Sequence, residues 1–442
     1  MNNTININNK IKSFKKKIEV TGDKSLSIRW AIMASLAKGT SRGYNLLRSE
    51  DVLNTLNCLK KLGIKINLRK NYCEITGKGL EGYSYKKNLI LDAGNSGTAA
   101  RLITATLIKT TKIIKITGDA SLKKRDMNRI IKPLKKFGAT FKQNRKGTLP
   151  LFIKGSSSLN PINYIELKGS AQCKSAVMLA AMRVKGTTKL KCKPSRDHTE
   201  LLYKYLKIPI KIKKKKKFDY IEVTGQKQFK SFSYKIPGDI SSASFLLVLT
   251  ILTENSELII KNINVNPTRT GIISILKLMG AKITFINKKK YKGEFVADIF
   301  VKSANKLTAI NCPSKFNSAA IDEMLLIFLI AAKANGVSHF KGLSELNQKE
   351  SPRLNWGSKI LNMMGVKTKL TKDSIKIYGQ PNLRIKKSIT IKNYLKDHRI
   401  FMMSSIAALT CGNKWTIHDK DSINTSFPSF LKIIKQINYK SI

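Results

Sequence analysis

Basic side chains recur in short polar segments that each precede an apolar, helix-like run. The cations in these segments are Lys24, Arg29, Arg125, Lys349, Arg353 and Arg399. A guanidinium binds phosphate or carboxylate as a planar fork, and a helix N-terminus adds free N–H groups and a positive dipole end. One such cation would be explained equally well by a helix cap or a surface ion pair. Their recurrence favours binding of a ligand with more than one anionic group.

Carboxylates are scarce, with 27 Asp and Glu residues against 83 Lys and Arg residues. Asp322 precedes a fully apolar segment and Glu350 lies beside Lys349, so both are candidates for general acid–base chemistry. Asp322 would equally suit a helix cap. His398 is open in the same way, either as a proton shuttle or as a buried core histidine. No Ser-His-Asp or Cys-His combination is apparent, which disfavours covalent catalysis.

The segment Leu91–Leu102 (LDAGNSGTAARL) predicts a strand, a small-residue turn and a helix N-terminus that suits an anion. It lacks the Lys-Ser/Thr ending of a P-loop and the spacing of a dinucleotide site. An ordinary capped turn is the alternative. Because the same arrangement recurs along the chain, we favour the anion site.

A repeated pattern organises the whole chain: an apolar helix that ends in glycine, followed by two short strands. The glycines are Gly63, Gly138, Gly280 and Gly365. A copy without glycine covers 203–212, and 430–439 predicts a last helix without its hairpin. Each glycine-terminated helix follows another helix, which begins near Lys24, Asn95, Ser170, Asp239, Asn317 or Asp397. The sequence thus predicts six strand–helix–strand–helix–strand–strand units.

The first helix of several units is apolar nearly all round, as in Met324–Ala332. Such helices belong inside a protein, surrounded by other elements. We therefore expect an α/β protein with two domains of three units each, in which sheets surround buried helices. With 442 residues, the chain is long enough for two cores.

The net charge of +56 raises the possibility of nucleic-acid binding. The lysines are dispersed, aromatic residues make up 7% without grouping, and the run Lys213–Lys217 falls where the repeat places a hairpin turn. A charged surface is the preferred interpretation. Six scattered cysteines and four histidines predict neither disulfides nor a metal centre. No apolar run long enough for a membrane span and no apolar leader are present, so we expect a cytoplasmic protein.

Ten stretches of the chain closely resemble 5-enolpyruvylshikimate-3-phosphate synthases, in the order that this family has, from residue 22 to residue 430. The stretches are GDKSLSIR, DAGNSGTAARL, GDASLKKRDMNRIIKPLKKFGA, GSAQCKSAVMLAA, SRDHTE, IPGDISSASFLL, IDEMLLIFLIAA, ELNQKESPRL, DHRIFMMSSIAAL and TSFPSF. The resemblance implies a two-domain enolpyruvyl transferase-like fold, described as an inside-out α/β barrel. It places an N-terminal domain at 23–237, a second domain at 1–22 plus 238–442, and the active site in the cleft between them.

The resemblance also implies a reaction: the enolpyruvyl group of phosphoenolpyruvate is transferred to the 5-hydroxyl of shikimate 3-phosphate, with release of phosphate. The family needs no metal or organic cofactor. Small-molecule substrates are the expected partners, with no nucleic acid and no membrane, and a monomer is expected.

Site residues are carried over position by position. The residues implied for shikimate 3-phosphate are Lys24, Ser25, Arg29, Ser170, Ala171, Gln172, Ser195, Asp322 and Lys349. The residues implied for phosphoenolpyruvate are Lys24, Gly97, Arg125, Gln172, Arg353 and Arg399. The implied catalytic residues are Asp322, which accepts the 5-hydroxyl proton, and Glu350 with Lys24, which protonate the enolpyruvyl methylene.

The chain departs from the family pattern at Thr21, Ile28, Glu345, Pro352 and Thr425. These departures question efficiency more than the reaction. A glycine at position 97 leaves room beside phosphoenolpyruvate and predicts sensitivity to glyphosate. Three alternatives remain: an enolpyruvyl transferase for UDP-N-acetylglucosamine, a non-enzymatic basic protein that binds nucleic acid, and an inactive enzyme. The first is disfavoured because 118–126 lacks the cysteine acid of that family.

Overall fold

The computed structural model describes residues 3–437, and the chain in it divides into two compact units. The N-terminal unit comprises Gly22–Ile236 and Tyr291–Glu294, and the C-terminal unit comprises the other described residues. The strands are β1 Thr4–Ile7, β2 Lys15–Glu19, β3 Lys38–Tyr44, β4 Lys65–Leu68, β5 Tyr72–Lys78, β6 Leu89–Asp92, β7 Ile114–Thr117, β8 Thr140–Gln143, β9 Leu151–Lys154, β10 Asn163–Glu166, β11 Thr187–Cys192, β12 Ile210–Lys214, β13 Asp219–Thr224, β14 Ser233–Lys235, β15 Glu257–Asn264, β16 Ile283–Tyr291, β17 Glu294–Lys302, β18 Val337–Phe340, β19 Thr368–Leu370, β20 Ile375–Tyr378, β21 Ile389–Ile391 and β22 Trp415–His418.

The α-helices are α1 Lys24–Leu36, α2 Glu50–Lys61, α3 Gly97–Thr106, α4 Asn128–Lys136, α5 Ala171–Ala181, α6 His198–Tyr205, α7 Ile240–Leu252, α8 Gly271–Leu278, α9 Asn317–Ala320, α10 Met324–Ala332, α11 Arg353–Met363, α12 His398–Cys411 and α13 Phe430–Ile437. Short 3₁₀ helices lie at Leu122–Lys124, Ser314–Phe316, Ser344–Gln348 and Lys420–Thr425.

Three four-stranded sheets form the N-terminal unit, in the orders β14-β3-β5-β4, β6-β7-β9-β8 and β10-β11-β13-β12. In each sheet the first two strands are parallel, and the others are antiparallel to their neighbours. A helix connects the parallel strands β6 and β7, and another connects β10 and β11, as in βαβ units. These are the units that the sequence predicted, except that β14, from the end of the segment, leads the first one.

The C-terminal unit has sheets in the orders β16-β17-β15-β2, β18-β20-β19 and β1-β22-β21. The second sheet has two isolated parallel bridges in place of a leading strand. They join Thr308 to Asn335, just before β18, and Asn311 to His339 in β18. The sequence predicted a last unit without its hairpin. There, β1 pairs antiparallel with β22, so the chain start supplies a strand to that sheet. Residues 438 and 439 of the predicted helix 430–439 lie outside the described residues.

Within 3–437 the strands form six sheets of three or four strands each. The fold is a mixed α/β arrangement in which apolar helices are buried. Every residue of α10 is buried, which agrees with its apolar sequence. Every residue of α12 is buried as well, including the polar His398 and Arg399 at its start. Each unit has its own hydrophobic core.

Four of the predicted helices are followed by a glycine whose own backbone is left-handed, and this conformation ends the helix. The φ values of Gly63, Gly138, Gly280 and Gly365 are 80°, 115°, 96° and 87°. The copy without glycine keeps the same conformation, with Lys207 at φ 55°. A non-glycine residue pays roughly 1–2 kcal/mol for this conformation. The copy without glycine therefore keeps the backbone geometry of the repeat although it lacks the glycine.

The helix expected from Asn317 onward is interrupted. Helix α9 ends at Ala320, a turn covers 321–323, and α10 starts at Met324. Asp322 and Glu323 both lie in this turn rather than on a continuous helix. The interruption frees their side chains to contact neighbouring helix starts.

Candidate functional site

The starts of α1, α3 and α5 carry most of the residues predicted for the N-terminal unit. Each helix begins at a capping side chain that accepts a backbone N–H. Asp23 accepts from Leu26 N at 2.8 Å, Ser96 accepts from Ala99 N at 3.2 Å, and Ser170 accepts from Cys173 N at 3.3 Å. Three predicted site residues are the first helical residues: Lys24, Gly97 and Ala171.

Arg29 is held from three sides inside the N-terminal unit. Its Nε donates to Thr199 Oγ1 at 2.9 Å, its Nη2 donates to Ser175 Oγ at 3.1 Å, and its Nη1 donates to the Ser25 carbonyl at 3.1 Å. The two hydroxyl groups are 2.8 Å from each other. These three partners are neutral oxygen atoms that orient the guanidinium.

Gln172 connects the starts of α5 and α3. Its Nε2 donates to Thr98 Oγ1 at 2.9 Å, and its Oε1 accepts from Arg101 Nη1. Arg101 also donates from Nη2 to the Asp126 carbonyl at 3.0 Å. Sequence reasoning predicted Gln172 and missed Arg101, which lies one helical turn after Gly97.

Two guanidinium groups lie beside the N-terminus of α3. Arg125 Nη2 donates to Asn95 Oδ1 at 2.7 Å and to Ser121 Oγ at 3.2 Å. A Cβ atom placed on Gly97 would lie 3.0 Å from Arg101 Nη1 and 3.3 Å from Arg125 Nη1. Two cations at a helix N-terminus form an electropositive region that favours an anion.

Lys24 and Ser195 complete the predicted residues of this unit. Lys24 Nζ forms an ion pair with Asp51 Oδ2 at 2.8 Å, at the start of α2. Ser195 lies before α6 and is 7% exposed, and its hydroxyl has no hydrogen-bond partner within the described residues. A buried hydroxyl without a partner is destabilising, and a bound polar ligand would relieve that cost. We call the predicted residues of this unit, with Arg101, the N-terminal cluster.

The predicted residues of the C-terminal unit meet around Arg353, which is 1% exposed. Its Nη2 contacts Glu350 Oε2 at 2.5 Å, its Nε contacts Asp397 Oδ2 at 2.8 Å, and its Nη1 lies 3.6 Å from Asp322 Oδ1. Lys349 Nζ is 3.2 Å from the same Asp322 oxygen. One guanidinium therefore contacts both carboxylates predicted for acid–base chemistry.

Arg399 reaches the same region from the start of α12. Its Nη1 donates to the Asp322 carbonyl at 2.6 Å and lies 3.5 Å from Glu323 Oε1. Glu323 Oε1 also accepts a hydrogen bond from Ser241 Oγ at 2.5 Å. The turn between α9 and α10 thus fixes Arg399 through a backbone and a side-chain oxygen. We call Asp322, Lys349, Glu350, Arg353 and Arg399, with Glu323 and Asp397, the C-terminal cluster.

Arg353 and Asp397 form a buried ion pair in which each group stabilises the charged form of the other. Burial opposes the charge on both groups, but their mutual attraction prevails. The pKa of Arg353 is raised, because Asp397, Glu350 and Asp322 outweigh its burial. The pKa of Asp397 is lowered, because Arg353 outweighs both burial and the neighbouring Glu350. Both groups are therefore charged at neutral pH.

Two of the five departures from the family pattern, Pro352 and Thr425, have simple local settings. Pro352 is the residue before the first residue of α11, where its missing N–H is tolerated, and the adjacent Ser351 Oγ donates to Asp397 Oδ2 at 2.8 Å. Thr425 Oγ1 is 3.0 Å from His398 Nδ1. His398 is buried at the start of α12, in agreement with the core interpretation.

Several supporting residues were missed by sequence reasoning, among them Ser175, Thr199, Glu200, Asp397 and Lys174. Lys174 offered a signal, since a lysine inside the apolar run of α5 requires a buried acidic partner. Within 3–437, no group of three or more His, Cys, Asp or Glu residues could hold a metal ion. In the same residues, no helix combines the length and apolarity that a membrane span requires.

Solved structures share this architecture over nearly the whole chain. The enolpyruvyl transferase NikO from Streptomyces tendae has a TM-score of 0.76 and 12% sequence identity, and the match covers 99% of this chain and 98% of that chain. An EPSP synthase structure from Acinetobacter baumannii has a TM-score of 0.85 and 35% identity, with 98% of each chain covered. The fold is thus that of the enolpyruvyl transferases.

The sequence comparisons are more specific. A family model described as EPSP synthase (3-phosphoshikimate 1-carboxyvinyltransferase) matches residues 8–434. A protein of Ruthia magnifica subsp. Calyptogena magnifica with the name 3-phosphoshikimate 1-carboxyvinyltransferase is 40% identical over 422 residues, covering 95% of this chain and 94% of that protein. One of Petrotoga mobilis with the same name is 38% identical over 425 residues, with 95% and 96% covered. The chain belongs to the EPSP synthase family and is an enolpyruvyl-transferring enzyme of the shikimate pathway.

Proposed function

We propose that the two clusters divide the work of enolpyruvyl transfer from phosphoenolpyruvate to shikimate 3-phosphate. The residues proposed to bind shikimate 3-phosphate are Lys24, Ser25, Arg29, Ser170, Ala171, Gln172, Ser195, Asp322 and Lys349. Those proposed to bind phosphoenolpyruvate are Lys24, Gly97, Arg125, Gln172, Arg353 and Arg399. The observation that carries the proposal is the contact of one buried guanidinium, Arg353, with both Asp322 and Glu350.

In the proposed mechanism, Asp322 accepts the proton of the 5-hydroxyl, and that oxygen attacks C2 of phosphoenolpyruvate. Glu350, with Lys24, delivers a proton to the methylene carbon, which makes C2 electrophilic. The tetrahedral adduct carries a carboxylate and a phosphate. Cations already held in place by hydrogen bonds, such as Arg29 and Arg399, stabilise such charges without reorganisation. Loss of phosphate and of a methyl proton then gives the enolpyruvyl product.

We further propose a cytoplasmic monomer that acts on these small molecules and binds no nucleic acid. The exposed run Lys213–Lys217, at the turn between β12 and β13, is one support, since a solvated hairpin turn explains it without a nucleic-acid partner. We also propose that the domains are 23–237 and 1–22 plus 238–442.

The test is phosphate release from phosphoenolpyruvate by purified protein, with and without shikimate 3-phosphate, at moderate salt so that nonspecific charge effects are screened. We expect release that requires shikimate 3-phosphate. Asp322→Ala and Arg125→Ala should each abolish most of it, because one removes a proton acceptor and the other a cation. Asp373→Ala and Arg384→Ala are matched controls, since both side chains are exposed.

Two outcomes would contradict the proposal. Release with UDP-N-acetylglucosamine in place of shikimate 3-phosphate would assign the chain to the sister reaction. No release with either acceptor, from folded protein, would indicate an inactive enzyme, and RNA binding would then be measured.

A further inference from the structure

Helices α5 and α6 are joined by a buried ion pair. It lies next to Ser195, a residue predicted to bind shikimate 3-phosphate. Lys174 Nζ is 2.6 Å from Glu200 Oε1, and the two side chains are 0% and 4% exposed. The same Nζ donates to the backbone carbonyl of Ser195 at 3.2 Å. We propose that Lys174 is a positioning residue that holds Ser195 for shikimate 3-phosphate. This inference rests on the proposed function of Ser195.

A fully buried ammonium needs compensation, because removing it from water costs several kcal/mol. Glu200 supplies the opposite charge, and the Ser195 carbonyl takes a second N–H of the ammonium. Lys174 therefore fastens the segment before α6 to the interior of α5, which is buried from Cys173 to Ala181. A charge-assisted hydrogen bond of this kind is stronger than one between neutral groups.

The Ser195 hydroxyl depends on such support. It is buried and has no hydrogen-bond partner within the described residues, so a hydrogen bond of its own does not fix its direction. Its backbone, in contrast, is held through its carbonyl by Lys174. Movement of that backbone would move the hydroxyl away from the ligand position that the proposed function assigns to it.

A second pair lies directly beside the first. Ser175, the next residue on α5, and Thr199, the residue before Glu200 on α6, are 2.8 Å apart through their hydroxyls and both accept from Arg29. Adjacent contacts between the same two helices thus support Ser195 and Arg29, two residues predicted to bind shikimate 3-phosphate. Disturbance of these contacts should weaken the binding of shikimate 3-phosphate more than the binding of phosphoenolpyruvate.

The experiment compares Lys174→Met with the double variant Lys174→Met/Glu200→Gln. The single variant leaves a buried carboxylate without its cation, whereas the double variant removes both charges. We expect the melting temperature to fall in the single variant and to recover largely in the double variant. We expect the dissociation constant and the KM for shikimate 3-phosphate to rise about tenfold or more in both. The KM for phosphoenolpyruvate should stay within about twofold.

Lys214→Met is the matched control. Lys214 Nζ pairs with Asp197 Oδ2 at 2.9 Å, beside the start of the same helix, but its side chain is 59% exposed. The same substitution there removes an ion pair without touching Ser195, and we expect wild-type binding of shikimate 3-phosphate.

Direct binding of shikimate 3-phosphate separates this inference from the proposed function. If the wild type binds it and both Lys174 variants bind it equally well, the positioning role is wrong while the function stands. Recovery of affinity together with stability in the double variant would also overturn the inference, since the effect would then be structural. A wild type that does not bind shikimate 3-phosphate would contradict the proposed function and this inference with it.

Discussion

The two clusters hold their cations in different ways. In the N-terminal cluster, Arg29 and Arg125 donate to hydroxyl, amide and carbonyl oxygens. In the C-terminal cluster, Arg353 contacts three carboxylates and Arg399 contacts a fourth. Hydrogen bonds to neutral oxygen atoms orient a guanidinium for an anionic ligand. Carboxylate partners offset part of the charge, so Arg353 and Arg399 also hold acidic groups in place beside the anion that we propose they bind.

Lys24 is intermediate between the two patterns. It belongs to the N-terminal cluster but forms an ion pair with Asp51, and its side chain is 20% exposed. Because water screens a partly exposed pair, this contact is weaker than the buried contacts of Arg353. Lys24 can therefore exchange Asp51 for a ligand at a modest cost, which suits its proposed contact with both substrates.

The largest expected effect concerns the acid of the C-terminal cluster. Glu350→Gln keeps the size of the side chain but removes the proton that we propose it delivers. We expect kcat to fall about 10²- to 10⁴-fold, with smaller changes in both KM values. Arg29→Gln, in the N-terminal cluster, should instead mainly raise the KM for shikimate 3-phosphate. Steady-state kinetics at varied concentrations of each substrate separates the two, and equal effects on kcat would contradict the comparison.

The next effect is on stability and follows from the lowered pKa of Asp397. Asp397→Asn should lower the free energy of unfolding by about 3 kcal/mol at neutral pH, because it breaks a buried ion pair. A carboxylate whose pKa is lower in the folded state stabilises the fold above its unfolded pKa, about 4. That stabilisation is lost as the pH falls through the lower folded pKa, so wild type and variant should converge in acid.

Urea unfolding at neutral and acidic pH measures this difference. Asp51→Asn is the matched variant in the N-terminal cluster, and we expect it to cost about 1 kcal/mol or less, since its partner Lys24 is partly exposed. Equal losses in the two variants would show that the clusters do not differ in the strength of their ion pairs.

The parts of the fold that were predictable are those set by local sequence. A glycine after an apolar helix encodes a left-handed stop, and an apolar run such as α10 encodes burial. The pairing of β1 with β22 could not be predicted. It joins Thr4 to His418, near opposite ends of the chain, and no local sequence pattern encodes such a contact. Lys207 shows the converse, since its left-handed conformation follows from the repeat and not from its residue type.

The same distinction holds for the candidate site. Cations at helix starts could be recognised from residue type and spacing. Their partners could not, because the contact of Arg29 with Thr199 spans 170 residues and depends on how the helices pack. Asp397 was visible only as a residue before a helix. Its ion pair with Arg353 emerges from the three-dimensional arrangement of α11 and α12.

The smallest expected effect tests how tightly the N-terminal cluster holds its anion site. The added methyl group in Gly97→Ala would lie 3.0 Å from Arg101 Nη1 and 3.3 Å from Arg125 Nη1, so both guanidinium groups would move by a few tenths of an ångström. Because they are ends of flexible side chains, we expect the KM for phosphoenolpyruvate to rise only about two- to fivefold, with the KM for shikimate 3-phosphate unchanged. Inhibition by glyphosate should weaken in the same variant. The KM for phosphoenolpyruvate and the inhibition by glyphosate could instead both stay at the wild-type level. The hydrogen bonds of Arg125 would then not fix its guanidinium, and the N-terminal cluster would orient its charges less firmly than these bonds indicate.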